Sequence, residues 1–251
     1  MFSFFKKRAP LSNALQDFVD IHNHILPGID DGAPTVEDSI ELIKKFGDLG
    51  VSEFIATPHI MNDYYPNNAE TISAALEKLK NTLAVEGLKH VKVKAAAEYM
   101  MDQAFLELLE KESLLCLKDN IVLVEMSYFQ APINLNEILF QLQTKQYKPV
   151  LAHPERYAYL HSKNLEKYEE LKTRGCVFQL NILSILGHYG SHIQDAALAL
   201  LDHNMIDFIG TDTHQLRHLE KLEGAKILEK RVDQVKILCQ KTAEVFRPSF
   251  S

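Results

Sequence analysis

Seven short β-rich apolar runs are spread along this chain, and six of them end in side chains that can bind a metal ion. They are FVDIH (18–22), EFIATPH (53–59), VKVKAAAE (91–98), NIVLVEM (120–126), KPVLAH (148–153), CVFQLN (176–181) and DFIGTD (207–212). Stretches with helical periodicity separate them: 35–50, 70–87, 103–115, 134–146, 165–175 and 193–204, with a longer charged helical region at 217–246. Thr35 and Asp38 have capping-box spacing and Gly50 marks a helix stop, so the first of these helices is bounded at both ends. Strand and helix alternate throughout. Such a chain builds a parallel sheet covered on both faces, either an open doubly wound sheet or a closed barrel.

The polar strand ends decide between the two. His22 and His24 close the first strand, His59 the second, Glu98 the third, Glu125 the fourth, His153 the fifth, and Asp212 with His214 the seventh. In a barrel these ends converge on one mouth, where such folds place their active sites. In an open sheet they lie along a line too long to share a site. No GxGxxG or GxxxxGK[ST] loop follows the first strand, which removes the usual mark of a nucleotide-binding open sheet. The expected fold is therefore α/β, a (β/α) barrel of seven strands, and its 251 residues suit one such domain. That domain is expected over residues 17–251, with residues 1–16 as an N-terminal tail, and no linker or internal repeat divides the chain.

Composition excludes several partners. A formal net charge of −7 argues against nucleic acid, which needs clustered excess Lys and Arg. No run approaches the length of a membrane span. The tail mixes Phe2, Phe4 and Phe5 with Lys6, Lys7 and Arg8, which leaves two readings open: a frayed end, or a segment making weak contact with a membrane surface or a partner. The three cysteines, Cys116, Cys176 and Cys239, are odd in number, widely spaced and without a CxxC pair. They fit a reducing cytoplasm, the expected location.

The candidate ligands are five histidines with Glu98, Glu125, Asp212 and an aspartate of the Asp30-Asp31 pair. Imidazole and carboxylate without thiolate suits Mn, Fe or Zn. At three or four protein ligands per ion the set supports two or three ions, with carboxylates such as Glu98 as bridges. His90, His161, His188, His192, His203 and His218 read as loop or helix-face residues, and Asp20 as a supporting residue behind the ligands.

DIHNHILPGIDDG, TPH, AAEYM, LVEMS, AHPERY and TDTH, in this order between about residues 18 and 217, resemble the PHP (polymerase and histidinol phosphatase) superfamily. They are most similar to its bacterial manganese-dependent protein-tyrosine phosphatase branch, the CpsB/YwqE type. The resemblance implies a distorted seven-stranded barrel of PHP type with a trinuclear site. His22, His24, Glu98 and Asp212 would hold one ion, Glu98, Glu125 and His153 a second, and Asp31, His59 and His214 a third. It also selects Asp31, the second aspartate of the DDG turn. Mn2+ is the favoured ion, with Fe, Zn, Co and Mg as alternatives, and the implied partner is a phosphotyrosine protein, a tyrosine autokinase of capsule or exopolysaccharide synthesis.

The expected chemistry is phosphomonoester hydrolysis by a metal-bound hydroxide, with cations clamping the phosphate oxygens. Arg156, three residues beyond His153, is the candidate for a bidentate phosphoryl contact, and Arg217, in THQLRH, is the second. Tyr64, Tyr65, Tyr99, Tyr128 and Phe129 flank the motifs and are candidates for an aromatic pocket wall or, equally, for loop packing. A thiolate phosphatase is excluded: six residues beyond the three cysteines stand Val122, Ile182 and Val245, so no Cys-x5-Arg loop exists. The alternatives are a PHP phosphatase of a small metabolite, a PHP nuclease disfavoured by the acidic charge, and a non-catalytic metal-binding regulatory protein.

Overall fold

The computed structural model describes residues 7–111, 114–162 and 164–250. All seven expected strands are present, and all pair in parallel. In chain order the barrel strands are β2 (Val19–Asp20), β3 (Glu53–Ala56) with β4 (His59–Ile60), β5 (Lys92–Ala95) with β6 (Glu98–Met100), β7 (Ile121–Glu125), β8 (Lys148–Ala152), β9 (Val177–Asn181) and β10 (Phe208–Gly210). The second and third runs are each broken into two short strands. Pro58, which has no N–H to give to a ladder, stands at the break in the second run. The chains stay paired across the gap, because Ala96 N–H donates to Ala56 O at 2.8 Å and Glu98 N–H to Pro58 O at 3.0 Å.

Closure comes from the residues around the first motif. Asp212 N–H donates to His22 O at 2.7 Å and His24 N–H to Thr213 O at 3.0 Å, joining the first strand to the seventh. Asn23, between the two histidines, turns the other way and ties the first strand to the second: Thr57 N–H donates to Asn23 O at 2.9 Å, and Asn23 Nδ2 to Ile55 O at 3.4 Å. Asp20 adds a buried clasp, accepting from Thr211 N–H at 3.0 Å and Thr211 Oγ1 at 2.6 Å. Burial pushes its carboxyl up to about 6 despite these donors. The sheet is distorted but its ends meet.

Two layers of core follow. Inside the barrel sit Val19, Ile21, Ile55, Ala96, Leu123, Val150, Ala152 and Phe208, all buried. Between strands and helices lies a larger shell of Leu, Ile and Phe contributed by nearly every helix. Helix α1 (Val36–Asp48) starts with the expected capping box, Thr35 Oγ1 accepting from Asp38 N–H at 3.2 Å, and stops at Gly50 with φ +81°. Helices α2 (Ala69–Val85), α3 (Gln103–Lys111), α4 (Leu135–Thr144), α5 (Glu166–Thr173) and α7 (Ser191–Asp202) fall where the periodicity places them, and a short α6 (Ile182–Ile185) follows β9 directly. The charged region after the seventh strand is not one helix. It divides into α8 (Leu216–Gly224), β11 (Lys226–Leu228) and α9 (Glu229–Phe246). The last turn of α9 does more than cover the outside: Phe246 meets Phe208 edge to face at 4.9 Å and packs with the interior layer, stopping the barrel at the end opposite the ligands.

Of the tail expected over residues 1–16, residues 1–6, with Phe2, Phe4 and Phe5, lie outside the described residues, and the described part lies against the rest of the fold. Strand β1 (Arg8–Pro10) pairs antiparallel with β11, and the 3-10 turn Leu11–Ala14 places Leu11, Ala14 and Leu15 in the outer core. Lys7 makes an ion pair with Glu229 at 2.9 Å. The apolar residues of this segment are too few to reveal a period, and its strand partner lies more than 200 residues away. Because Leu15 is 1% exposed, Leu15→Ala is expected to cost about 2–5 kcal/mol in urea unfolding, whereas a frayed tail would show no change.

Candidate metal centre

The mouth of the barrel gathers every sequence-predicted ligand. Glu98, fully buried at the start of β6, is the hub: Oε1 lies 3.1 Å from His153 Nε2, and Oε2 lies 3.2 Å from His22 Nε2 and 3.1 Å from His59 Nδ1. Around it, Asp212 Oδ1 is 3.4 Å from His22 Nε2 and 3.3 Å from His24 Nε2. Glu125 Oε1 is 2.8 Å from His59 Nδ1, and Asp31 Oδ1 stands 3.5 Å from His59 Nε2 and 3.3 Å from His214 Nε2. Four overlapping sets have ligand atoms within 4.8 Å of one another: His22-His24-Asp212, His22-Glu98-His153, His59-Glu98-Glu125, and His24-Asp31-His59-His214.

These sets differ in detail from the division implied by resemblance. His153 groups with His22 across Glu98, while Glu125 groups with His59. Glu98, with one oxygen toward His153 and the other toward His22 and His59, has the disposition of a bridging carboxylate.

The local backbone is shaped for this convergence. Gly32 of the DDG turn lies so close to the first motif that a Cβ there would stand 2.1 Å from His24 O. Gly210, two residues before Asp212, likewise leaves room for His22, whose Cβ would be 2.7 Å from an added one. His153 (φ 35°) and Asp212 (φ 52°) both adopt left-handed backbone, which costs about 1–3 kcal/mol each for a residue with a side chain. They are held there by His153 N–H to Gln179 O at 2.8 Å and Asp212 N–H to His22 O at 2.7 Å. Strain of this kind marks a backbone bent to aim a side chain.

Supporting residues fix the rings. Gln179 Oε1 faces His22 Nδ1 at 2.7 Å and Asp30 Oδ2 faces His24 Nδ1 at 2.8 Å, so each ring turns Nε2 toward the cluster. The two aspartates of the turn thus split their work: Asp31 faces the ligands, while Asp30 orients His24 and accepts from Gly32 N–H at 2.9 Å. Asn181 Nδ2 donates to Asp212 Oδ2 at 2.9 Å. Glu155, buried behind it, accepts from Asn181 N–H and Ser184 Oγ, and burial pushes its carboxyl up to about 7. His218, read from sequence as a helix-face residue, accepts from His214 N–H at 3.3 Å and steadies the last loop; burial and the neighbouring His214 push it down to about 4. Gln179, Asn181 and Glu155 were not singled out from sequence, and the NILS run offers no metal-ligand signature that would have found them.

Arg156 lies within the site. Arg156 Nη1 donates to Asp212 Oδ2 at 2.6 Å, and its guanidinium lies between two rings, 4.6 Å from the Tyr128 centroid and 4.1 Å from that of Tyr189. Arg217 stands exposed on the first turn of α8, apart from the cleft. Of the aromatic candidates, Tyr65 stacks on His59 with centroids 5.5 Å apart and Tyr128 lies 5.8 Å from His153. Tyr99 is a core residue, its hydroxyl accepting from Leu115 N–H. Phe129 and Tyr64 point largely to solvent, 95% and 75% exposed. The cysteines are remote, and burial pushes Cys116 up to about 11 and Cys176 up to about 12, which keeps these thiols protonated.

The donor set fits divalent cations. His22 Nε2, His24 Nε2, His59 Nδ1, His153 Nδ1, Glu98 Oε2 and Glu125 Oε1 are buried without a hydrogen-bond partner, an arrangement that is costly unless charge or metal satisfies it. Without ions the cluster balances itself with protons. Burial opposes a charge on His24, but Asp30 and Asp212 outweigh it and hold the ring up to about 10; His59 is likewise raised by Glu98 and Glu125. His153 is the opposite case, pushed down to about 4 by burial and by Arg156, and so is neutral. A histidine must be neutral to bind metal, so loading at pH 7 must expel the protons of His24 and His59. The expected result is proton release on titrating the metal-free protein with Mn2+ in weak buffer, with affinity falling about tenfold per pH unit per proton displaced as pH drops. Loading without proton release would contradict this charge arrangement.

Comparisons agree with the geometry. The family model described as "Capsular polysaccharide synthesis, CpsB/CapC" matches residues 18–247. The chain is 32% identical to tyrosine-protein phosphatase YwqE of Bacillus subtilis over 220 residues, 84% of each chain. It is 31% identical to the putative tyrosine-protein phosphatase CapC of Staphylococcus aureus over 199 residues, 79% of this chain and 77% of that one. A solved structure described as YwqE from B. subtilis and CpsB from Streptococcus pneumoniae, unique metal-dependent tyrosine phosphatases, superposes with a TM-score of 0.80 at 28% identity, covering 93% of this chain and 95% of the other. A phosphotriesterase homology protein of Escherichia coli, at TM-score 0.51 and 14% identity, covering 91% of this chain and 98% of that one, shares the fold alone. By the span of its motifs, its barrel and its relatives, the chain belongs to the CpsB/CapC family of capsular polysaccharide synthesis.

Proposed function

We propose that this chain is a metal-dependent protein-tyrosine phosphatase, with the ring of imidazoles and carboxylates at the barrel mouth as its catalytic centre. The observation that carries the reading is the convergence of nine ligand side chains from six strand ends, several with buried atoms that make no hydrogen bond. His22, His24, Asp31, His59, Glu98, Glu125, His153, Asp212 and His214 would hold two or three ions, Mn2+ favoured. When bound, these ions supply charge neutralisation of the phosphoryl oxygens and an activated water nucleophile.

The chain's own groups do the rest. Arg156 presents its guanidinium beside Asp212 to a non-bridging phosphate oxygen, and the flanking rings of Tyr128 and Tyr189 restrict it to that plane. Gln179 and Asp30 keep His22 and His24 in one orientation. No strong general acid need stand by the leaving oxygen, because a tyrosine phenol has a pKa near 10 and departs more easily than an alkoxide. Tyr65, stacked on His59, offers a flat face to an aromatic ester. A phosphotyrosine protein of capsule or exopolysaccharide synthesis, a tyrosine autokinase by family resemblance, is the proposed substrate, met in the cytoplasm. No helix among the described residues is long and apolar enough to cross a membrane.

The test is turnover of p-nitrophenyl phosphate, a phosphotyrosine peptide and histidinol phosphate by the Mn2+-loaded protein. Preference for the peptide supports the reading, preference for histidinol phosphate replaces it with metabolite hydrolysis, and no turnover of any ester leaves a metal-binding protein. Arg156→Ala is expected to lower kcat/KM about 10²–10³-fold, the scale of one lost oxyanion donor, and Arg156→Lys to recover only part of it because lysine lacks the fork. Unchanged kinetics and unchanged inhibition by inorganic phosphate would remove Arg156 from the mechanism.

A further inference from the structure

The cleft in front of the metal centre is larger than a phosphorylated tyrosine needs. It encloses about 1060 Å³, at the upper end of the roughly 300–1,000 Å³ that holds a whole drug-sized ligand. Beyond the ligands its walls change character. The loop 127–134 contributes Phe129, Pro132 and Ile133, the segment after the second strand Met61 and Tyr64, and the end of β6 Met100. Phe129 is 95% exposed and Ile133 99%. Large apolar groups this bare, grouped at the rim of a site, mark a surface that another molecule covers.

The loop that carries them is braced. Tyr159 Oη donates to Ser127 O at 2.8 Å at one end, and Asn134 Nδ2 reaches Gln103 Oε1 at 3.5 Å at the other. A braced, exposed lip gives up little freedom when something docks on it.

Charge narrows the choice of occupant. Asp63, Asp102 and Glu137 line the same cleft outside the metal centre, whereas Arg156 is its only Lys or Arg among the described residues, and Asp212 already engages it. An anionic stretch of substrate would be repelled, while one with a cationic side chain would be drawn in.

We propose that this lip is a peptide-recognition surface. It holds an extended substrate segment in which the phosphotyrosine lies next to a large apolar residue, resting on Phe129 and Ile133, and near a lysine or arginine facing Asp63 and Glu137. The inference rests on the phosphatase reading and deepens it: the ions select the phosphoester, and the lip selects the polypeptide that carries it.

The test compares wild type, Phe129→Ser, Ile133→Ser and the neutralised pair Asp63→Asn with Glu137→Gln, all Mn2+-loaded and checked for equal thermal melting. Each is assayed on p-nitrophenyl phosphate and on four phosphotyrosine peptides that combine an apolar or polar neighbour with a lysine or glutamate. All variants should match wild type on p-nitrophenyl phosphate. Both serine variants should lose on the order of tenfold in kcat/KM on the apolar-neighbour peptides and little on the others, and the neutralised pair should lose the preference for lysine over glutamate. Equal peptide kinetics in all variants, or losses that appear equally on p-nitrophenyl phosphate, would overturn the lip while leaving the phosphatase intact. A wild type that cleaves no aryl phosphate would instead fail the underlying reading and take the lip with it.

Discussion

Glu98→Gln is expected to reduce turnover of p-nitrophenyl phosphate by a thousandfold or more and to lower bound metal, while the barrel stays folded. Among the described residues its two oxygens are the only ones that face His22, His59 and His153 together, so one change disconnects three parts of the cluster. Burial alone would raise this carboxyl, yet His22 and His59 hold it well below the usual carboxylate range; the site is built around a negative charge at that point. Glutamine has the same shape without the charge. Loss of one preorganised electrostatic group commonly costs about 10²–10³ in rate, and in the proposed centre Glu98 would also help hold the ions that activate water, which places the expected loss at or beyond that range. Metal content by mass spectrometry and turnover on the same sample check the result. Wild-type turnover in this variant would show that the hub of the cluster has no part in the chemistry.

Removal of metal should have an effect as large on activity and a much smaller one on the fold. Dialysis against a chelator is expected to bring hydrolysis to background, and Mn2+ to restore it. The protein should nevertheless keep a cooperative unfolding transition. Small zinc domains unfold without their ion because they have little else to bury. Here the interior layer and the outer shell are apolar side chains buried against one another without any ion, with Phe246 stopping the far end. The metal-free ligands also have a substitute: His24 and His59 take up protons and pair with Asp30, Asp212, Glu98 and Glu125. Hydrolysis that survives exhaustive chelation would refute the metal mechanism, and wholesale unfolding would show that the ions hold the barrel together.

Much of this was readable in the linear chain. The strands at 120–126, 148–153 and 176–181 appear almost residue for residue, because a parallel strand buried on both faces must be an unbroken apolar run. The runs at 53–59 and 91–98 read as single strands because apolarity continues through Thr57-Pro58 and Ala96-Ala97, where the ladder is interrupted. Residues 8–14 gave no sign of their strand and 3-10 turn, since three and four residues are too few for any period to show. The region 217–246 read as one helix because β11 is only three residues long and is stabilised by a partner at the other end of the sequence.

What the sequence by itself determined is the kind of centre: which side chains can bind metal, that each sits where a strand ends, and that no thiol can serve. Those facts are local, fixed by residue type and by the rule that the strand ends of a closed parallel barrel open on one mouth. The three-dimensional arrangement decided the rest, including the pairing of His153 with His22 across Glu98, the division of labour between Asp30 and Asp31, and the ring pair around Arg156. Each depends on distances between residues tens to hundreds of positions apart, set by the curvature of the sheet and the left-handed bends at His153 and Asp212, and no pattern along the chain encodes those distances.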